Sequence, residues 1–147
     1  MHLILVDDDK MVLDSLARAM GRHFSVTAFV SAREALEHVA TGAPADAVLT
    51  DVRMHPMGGA ELGREMAKVR SDLPVFYMSG QSVDLPEPSV CFAKPFDVRQ
   101  AATLIHMVVQ SEKALREMKD AGIVVDPKAL RELEECVAED ALRTGAP

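Results

Sequence analysis

At 147 residues the chain has room for one domain of ordinary size plus a short extension, and it can bury about two-thirds of its unfolded surface without a disulfide or metal staple. The 16 Lys and Arg are outnumbered by 23 Asp and Glu, and the net charge of −7 opposes the clustered positive potential that a nucleic-acid backbone requires. No apolar run approaches the ~18 residues of a membrane span, the start Met1-His2-Leu3-Ile4-Leu5-Val6 meets three aspartates rather than a signal-peptide pattern, and Cys91 and Cys136 are too far apart in sequence to suggest a local staple. The expectation is an acidic, cytoplasmic chain with reduced thiols and no histidine pair at metal-ligand spacing.

In chain order, Leu3-Ile4-Leu5-Val6 is a continuous apolar run ending in Asp7-Asp8-Asp9, the pattern of a buried parallel strand with a polar tip. Val12, Leu13, Leu16, Ala17 and Met20 follow at helical spacing, with Asp9 as cap and Gly21 as stop. Phe24 to Phe29 reads as a short second strand. Ser31 to Glu34 forms a capping box ahead of Ala35, Leu36 and Val39, and Gly42-Ala43-Pro44 ends that helix. Ala47 to Thr50 is a third strand ending in Asp51; Gly58-Gly59 breaks the chain; Leu62, Met66 and Val69 mark a third helix. Pro74 to Met78 is a fourth strand ending in Ser79-Gly80, and Val90 to Ala93 a fifth ending in Lys94-Pro95. Asp97 caps a last helix carrying Ala101, Leu104, Ile105, Val108 and Val109. The alternation predicts a doubly wound α/β fold with a five-stranded parallel sheet. One crossover breaks the pattern: residues 81–89 hold two prolines and no apolar period, so a fourth helix between the last two strands is expected to be missing or reduced to a loop.

Ligands of such sheets bind beyond the carboxyl ends of the strands. The groups predicted there are Asp7, Asp8 and Asp9, then Asp51, Ser79 and Lys94. Clustered carboxylates repel unless a divalent cation sits among them, and hard oxygen ligands suit Mg²⁺. A carboxylate, a hydroxyl and an ammonium around one metal make a cradle for three phosphoryl oxygens, and phosphoryl transfer needs chiefly such positioning and charge neutralisation. Taken alone, Asp9 reads as a helix cap rather than a ligand, Cys91 as a small core-facing hydrophobe rather than a redox sensor, and the methionines as core filling.

With these residues in place, roughly the first 110 positions resemble the receiver domain of two-component response regulators. The resemblance rests on the acidic pair Asp7-Asp8, Asp51 as phospho-acceptor, the hydroxyl and small residue Ser79-Gly80, and Lys94-Pro95-Phe96. It implies a flavodoxin-like sheet, Mg²⁺ held by Asp7, Asp8, Asp51 and the Arg53 carbonyl, a cis bond after Lys94, and phosphotransfer to Asp51 from a histidine kinase or phosphotransfer protein. Ser79 and Lys94 would serve the phosphoryl group; Gln81 could orient an attacking water and the Arg53 side chain could touch the phosphoryl group, though residues of both kinds are more often plain surface residues. Enzymatic action would be limited to the chain's own phosphorylation and dephosphorylation. Three departures stand out. The proline after the acceptor is displaced by one position to Pro56, Cys91 stands where the family commonly has an aromatic switch residue, and the fourth helix is expected to be missing or reduced to a loop. These features leave two alternatives: a receiver-like module that works by protein interaction without phosphorylation, and a haloacid-dehalogenase-type phosphatase using Asp7 and Asp9. The latter fits less well, because Lys10-Met11 follows Asp9 and no late acidic pair follows Lys94.

Residues 111–147 lie outside the resemblance and are expected to form a helical extension. The series Ala101, Leu104, Val108, Leu115 and Met118 predicts that the last receiver helix runs on to about Lys119; Ala121-Gly122 ends it, and Asp126-Pro127 opens another helix carrying Leu130, Leu133 and Val137. With six basic against nine acidic residues from Ser111 onward, this extension is not expected to be a DNA-binding output domain; the expectation is a homodimer through these helices or docking on a partner protein, with folding back over the place of the missing fourth helix as the alternative.

Overall fold

A computed structural model describes residues 1–81, 85, 89–123, 126, 128, 131–132, 135–136 and 138–139. They fall into two units, Met1–Phe96 and Asp97–Pro147.

In the first unit, β1 (His2–Val6) is the spine of the sheet, because four consecutive apolar residues fill both of its faces: Leu3, Ile4, Leu5 and Val6 are wholly buried. It pairs in parallel with β2 (Ser25–Phe29) on one side and β3 (Ala47–Asp51) on the other; β4 (Val75–Ser79) and β5 (Val90–Ala93) continue the sheet in the order β2-β1-β3-β4-β5. This is the flavodoxin-like order. The chain reverses direction across the sheet after β2, so right-handed crossovers send α1 (Lys10–Met20) to one face and α2 (Ala32–Ala40) and α3 (Gly59–Val69) to the other. On the second face Ile4, Val6 and Val48 pack with Ala35 and Val39 of α2 and Leu62 and Met66 of α3. The caps act as expected. Asp9 accepts from the N–H groups of Met11 and Val12, and Ser31 accepts from Glu34 N–H at 3.3 Å.

The crossover from β4 to β5 spans only Gly80 to Ser89. Gln81, Leu85 and Ser89 are not helical, while residues 82–84 and 86–88 of the segment expected to lack a helix lie outside the described residues. β5 is a short edge strand, and here one expectation is corrected. Cys91 is exposed rather than core-facing. Alternation sends Val90 and Phe92 to the other face, where Phe92 stacks on Phe76 at 6.3 Å, so Cys91 and Ala93 share the face on which a fourth helix would lie. The methionines divide as well: Met20, Met54, Met66 and Met78 fill the core, but Met11 is 83% and Met118 41% exposed.

In the second unit, α4 (Val98–Asp120) starts at Asp97, whose carboxylate accepts from Gln100 N–H at 3.0 Å. Its fully buried positions, Ala101, Ala102, Ile105 and Val109, lie in the first half of the helix. The helix ends one residue beyond the predicted Lys119, in a Schellman motif: Ile123 N–H donates to Met118 O, Gly122 N–H to Lys119 O, and Gly122 takes φ +77°. Asp126 then accepts from Lys128 N–H at 2.9 Å, and Lys128, Arg131, Glu132, Glu135, Cys136, Ala138 and Glu139 are helical. The expected apolar face of Leu130, Leu133 and Val137 lies outside the described residues.

Candidate functional site

Parallel strands all present their carboxyl ends to one edge, which brings the tips of β1, β3, β4 and β5 together. Asp7 follows β1 directly and its backbone still pairs with the sheet, donating N–H to Phe29 O at 3.2 Å. This holds the side chain in the interior at 1% exposure, whereas Asp8, turned outward, is exposed. One carboxylate oxygen each from Asp7, Asp8 and Asp51 lie within 4.8 Å of one another, an arrangement able to hold a metal ion. Asp9 is not among them, because its carboxylate caps α1.

Lys94 closes the cluster from β5. Its Nζ stands 3.1 Å from Asp51 Oδ1 and 3.6 Å from Asp7 Oδ2. Lys94 N–H donates to Ser79 O at 2.8 Å, which anchors its backbone to the tip of β4, and the Lys94–Pro95 bond is cis. Three carboxylates against one ammonium leave an excess of negative charge. Asp7 bears the strain most: Oδ1 accepts from Asp9 N–H at 2.9 Å, but Oδ2 is buried without a hydrogen bond. Burial, with further pressure from the charges of Asp51 and Asp8, holds the Asp7 carboxyl above its ordinary pKa, against the pull of Asp9 N–H and Lys94. An orphaned carboxylate oxygen facing two other acids fits a hard cation.

The loop after Asp51 is folded tightly beneath it. Thr50 Oγ1 donates to Asp51 O at 2.9 Å, Met54 is buried, and Gly59 N–H donates to Val52 O. A Cβ on Gly59 would overlap the Asp51 carbonyl oxygen and stand 2.9 Å from Val52 Cα. Glycine is required here for close approach, a role hidden in a sequence where Gly58-Gly59 reads simply as a chain break. The side chains of Arg53 and His55 in this loop are exposed, and the cis His55–Pro56 bond was not foreseen.

Ser79 reaches the same edge but is otherwise engaged. Its hydroxyl donates to Gln81 O at 2.9 Å and accepts from Gln81 N–H at 3.2 Å, closing a turn that includes Gly80. The Gln81 side chain is exposed. The Cys91 thiol is pushed above its usual pKa by the protein around it and then by the Asp51 charge, so it is not an activated thiolate.

A five-stranded doubly wound sheet with three acids and a lysine at its carboxyl edge is the arrangement of a receiver-type domain. The family model of the response regulator receiver domain matches residues 3–92, and the chain belongs to that family, which serves two-component systems. It is similar to the DNA-binding transcriptional regulator NtrC of Klebsiella pneumoniae (30% identity over 128 residues, 81% of this chain and 27% of that protein). It is also similar to the response regulator MprA of Mycolicibacterium vanbaalenii (35% over 81 residues, 54% of this chain and 35% of that protein). The chain thus spans about a third or less of the length of these curated relatives. Among solved structures, a response regulator receiver protein from Sinorhizobium medicae matches with a TM-score of 0.69 at 27% identity, covering 76% of this chain and 96% of that one. No helix among the described residues is long and apolar enough to cross a membrane.

Proposed function

We propose that this chain is a working receiver: Asp51 accepts a phosphoryl group from a phosphohistidine of a kinase or phosphotransfer protein, with Mg²⁺ bound by Asp7, Asp8, Asp51 and the Arg53 carbonyl. The observation that carries the reading is the placement of Lys94 Nζ at 3.1 Å from Asp51 Oδ1, beside two further carboxylates that share ligand distance with it. An oxygen of Asp51 attacks phosphorus, the phosphorus–nitrogen bond breaks, and the imidazole leaves with the electron pair. Bound Mg²⁺ supplies charge neutralisation for the acidic cluster and the incoming phosphoryl oxygens. Lys94 is placed to meet a second phosphoryl oxygen. Ser79 meets a third only by giving up its bond to Gln81 O, so occupancy of the site is coupled to the start of the β4–β5 crossover. Asp9 is engaged as a cap, which speaks against the two-aspartate phosphatase alternative. Signalling then proceeds by protein contact, with the helical extension from residue 111 onward as a candidate docking or dimerising element.

Intact mass after incubation with acetyl phosphate and Mg²⁺ tests the reading. A single phosphoryl adduct is expected on the native chain and none on Asp51→Asn. An adduct that persists at the same rate in Asp51→Asn removes Asp51 from the role, and no adduct or beryllofluoride binding at all favours the phosphorylation-independent module.

A further inference from the structure

Gly63 lies inside α3, where glycine is less favourable than alanine and neither a turn nor a positive φ calls for it. The reason is steric. A Cβ at Gly63 would overlap the hydroxyl of Tyr77 and stand 3.0 Å from its Cζ, so the missing side chain is the notch that receives this ring. Tyr77 is the sole tyrosine of the chain and is 3% exposed on β4. It pairs in register with Thr50 on β3 and Cys91 on β5. Strand alternation puts Tyr77 on the same face as Ser79, two residues further on at the tip. Beside the notch, on the same face, the described residues of β5 offer only the small side chains of Cys91 and Ala93, both exposed. Among the described residues, a ring denied its notch has an open direction outward over Cys91.

We propose that Tyr77 seated in the Gly63 notch is a positioning residue for Ser79: it pins the end of β4 beneath α3 and so fixes where the Ser79–Gln81 turn stands relative to Asp51 and Lys94. This rests on the reading of Ser79 as a donor to the phosphoryl group. Burial raises the Tyr77 phenol pKa and the Arg64 charge opposes the rise, consistent with a hydroxyl held against α3.

The test uses the full chain carrying Cys136→Ser, alone and with Gly63→Ala, with Tyr77→Phe, and with Gly63→Ala plus Tyr77→Val. Three quantities are read: maleimide labelling of Cys91, Mg²⁺ affinity, and beryllofluoride affinity at saturating Mg²⁺, the last two by NMR shifts. Gly63→Ala should drive the ring over Cys91 and slow labelling severalfold. Beryllofluoride affinity should fall about tenfold, while Mg²⁺ affinity stays within about twofold because the acidic cluster is untouched. The Gly63→Ala/Tyr77→Val pair should restore Cys91 labelling, since the smaller side chain needs no notch, but not beryllofluoride affinity, since no ring then pins β4. Unchanged Cys91 labelling in Gly63→Ala, Mg²⁺ and beryllofluoride affinities falling in parallel, or full beryllofluoride affinity in the double variant each overturns the proposal. If Gly63→Ala does not fold, Tyr77→Phe carries the test: loss of the hydroxyl alone should weaken beryllofluoride binding without moving Mg²⁺, and full affinity overturns the assignment. Parent protein that binds Mg²⁺ but no beryllofluoride defeats the reading of Ser79 itself, whereas parent binding with indifferent variants defeats only the positioning role.

Discussion

The two halves of the strand-end site are prepared to different degrees. On the β1–β3 side, Asp7, Asp8 and Asp51 already share ligand distance, and Lys94 leans across from β5 to two of them. On the β4 side, Ser79 spends both its donor and its acceptor on Gln81. The acidic half sits on strands held from both sides within the sheet, whereas the Ser79 turn opens the crossover to an edge strand.

Replacing Lys94 by Ala should break this contrast most completely. Mg²⁺ binding should survive, because the three carboxylates remain and one competing cation is gone, but amide shifts around Gln81 should no longer respond to phosphorylation. Undiminished Gln81 shifts on acetyl phosphate treatment would show that Ser79 senses the site without Lys94.

Gly59→Ala attacks the acidic half through the backbone. The added methyl meets the Asp51 carbonyl and Val52 Cα, so a loss of about 1–3 kcal/mol is expected in urea unfolding, along with weaker Mg²⁺ binding. A variant as stable as the parent would mean that the loop relaxes freely around Asp51.

Asp7→Asn should act in the opposite direction on stability. It removes a buried carboxylate with an orphaned oxygen, and about 1–2 kcal/mol of added stability at neutral pH without metal is expected. The sign with pH follows from the raised pKa. The folded chain holds the Asp7 proton to higher pH than the unfolded chain does, so the native protein loses stability as pH rises through the folded value. The advantage of Asn should therefore be larger at pH 7 than near pH 4, and added Mg²⁺ should stabilise the parent but not the variant. An advantage constant across that range would point away from ionisation as its cause.

The smallest effect is expected for Ser79→Ala, under about 1 kcal/mol, since one partly buried hydrogen-bonded turn is lost. Its signature is local: faster amide exchange at Gln81, with the Asp7, Asp8 and Asp51 shifts unmoved. Spread of the change into the acidic cluster would show that the two halves are not separable.

Much of this molecule was legible in its sequence, because the signals are local ones. The apolar run Leu3 to Val6, the caps Asp9, Ser31 and Asp97, and the paired glycine and proline stops each act within a few residues of themselves, and each stands where expected. An acid, a hydroxyl or a lysine immediately after such a run is bound to reach the carboxyl edge, so Asp7, Asp51, Ser79 and Lys94 could be named as neighbours from strand ends alone. Tertiary structure decided what those positions could not express. Adjacent Asp7 and Asp8 are alike in sequence, but one turns into the core and becomes an orphaned carboxylate while the other turns to solvent. Cys91 alternates correctly within an apolar strand yet is exposed, since burial depends on what covers a face and not on the strand itself. Gly59, which reads as a chain break, is a space shaped for the Asp51 backbone, and Gly63, unremarked in the sequence, is one shaped for the Tyr77 ring of another strand.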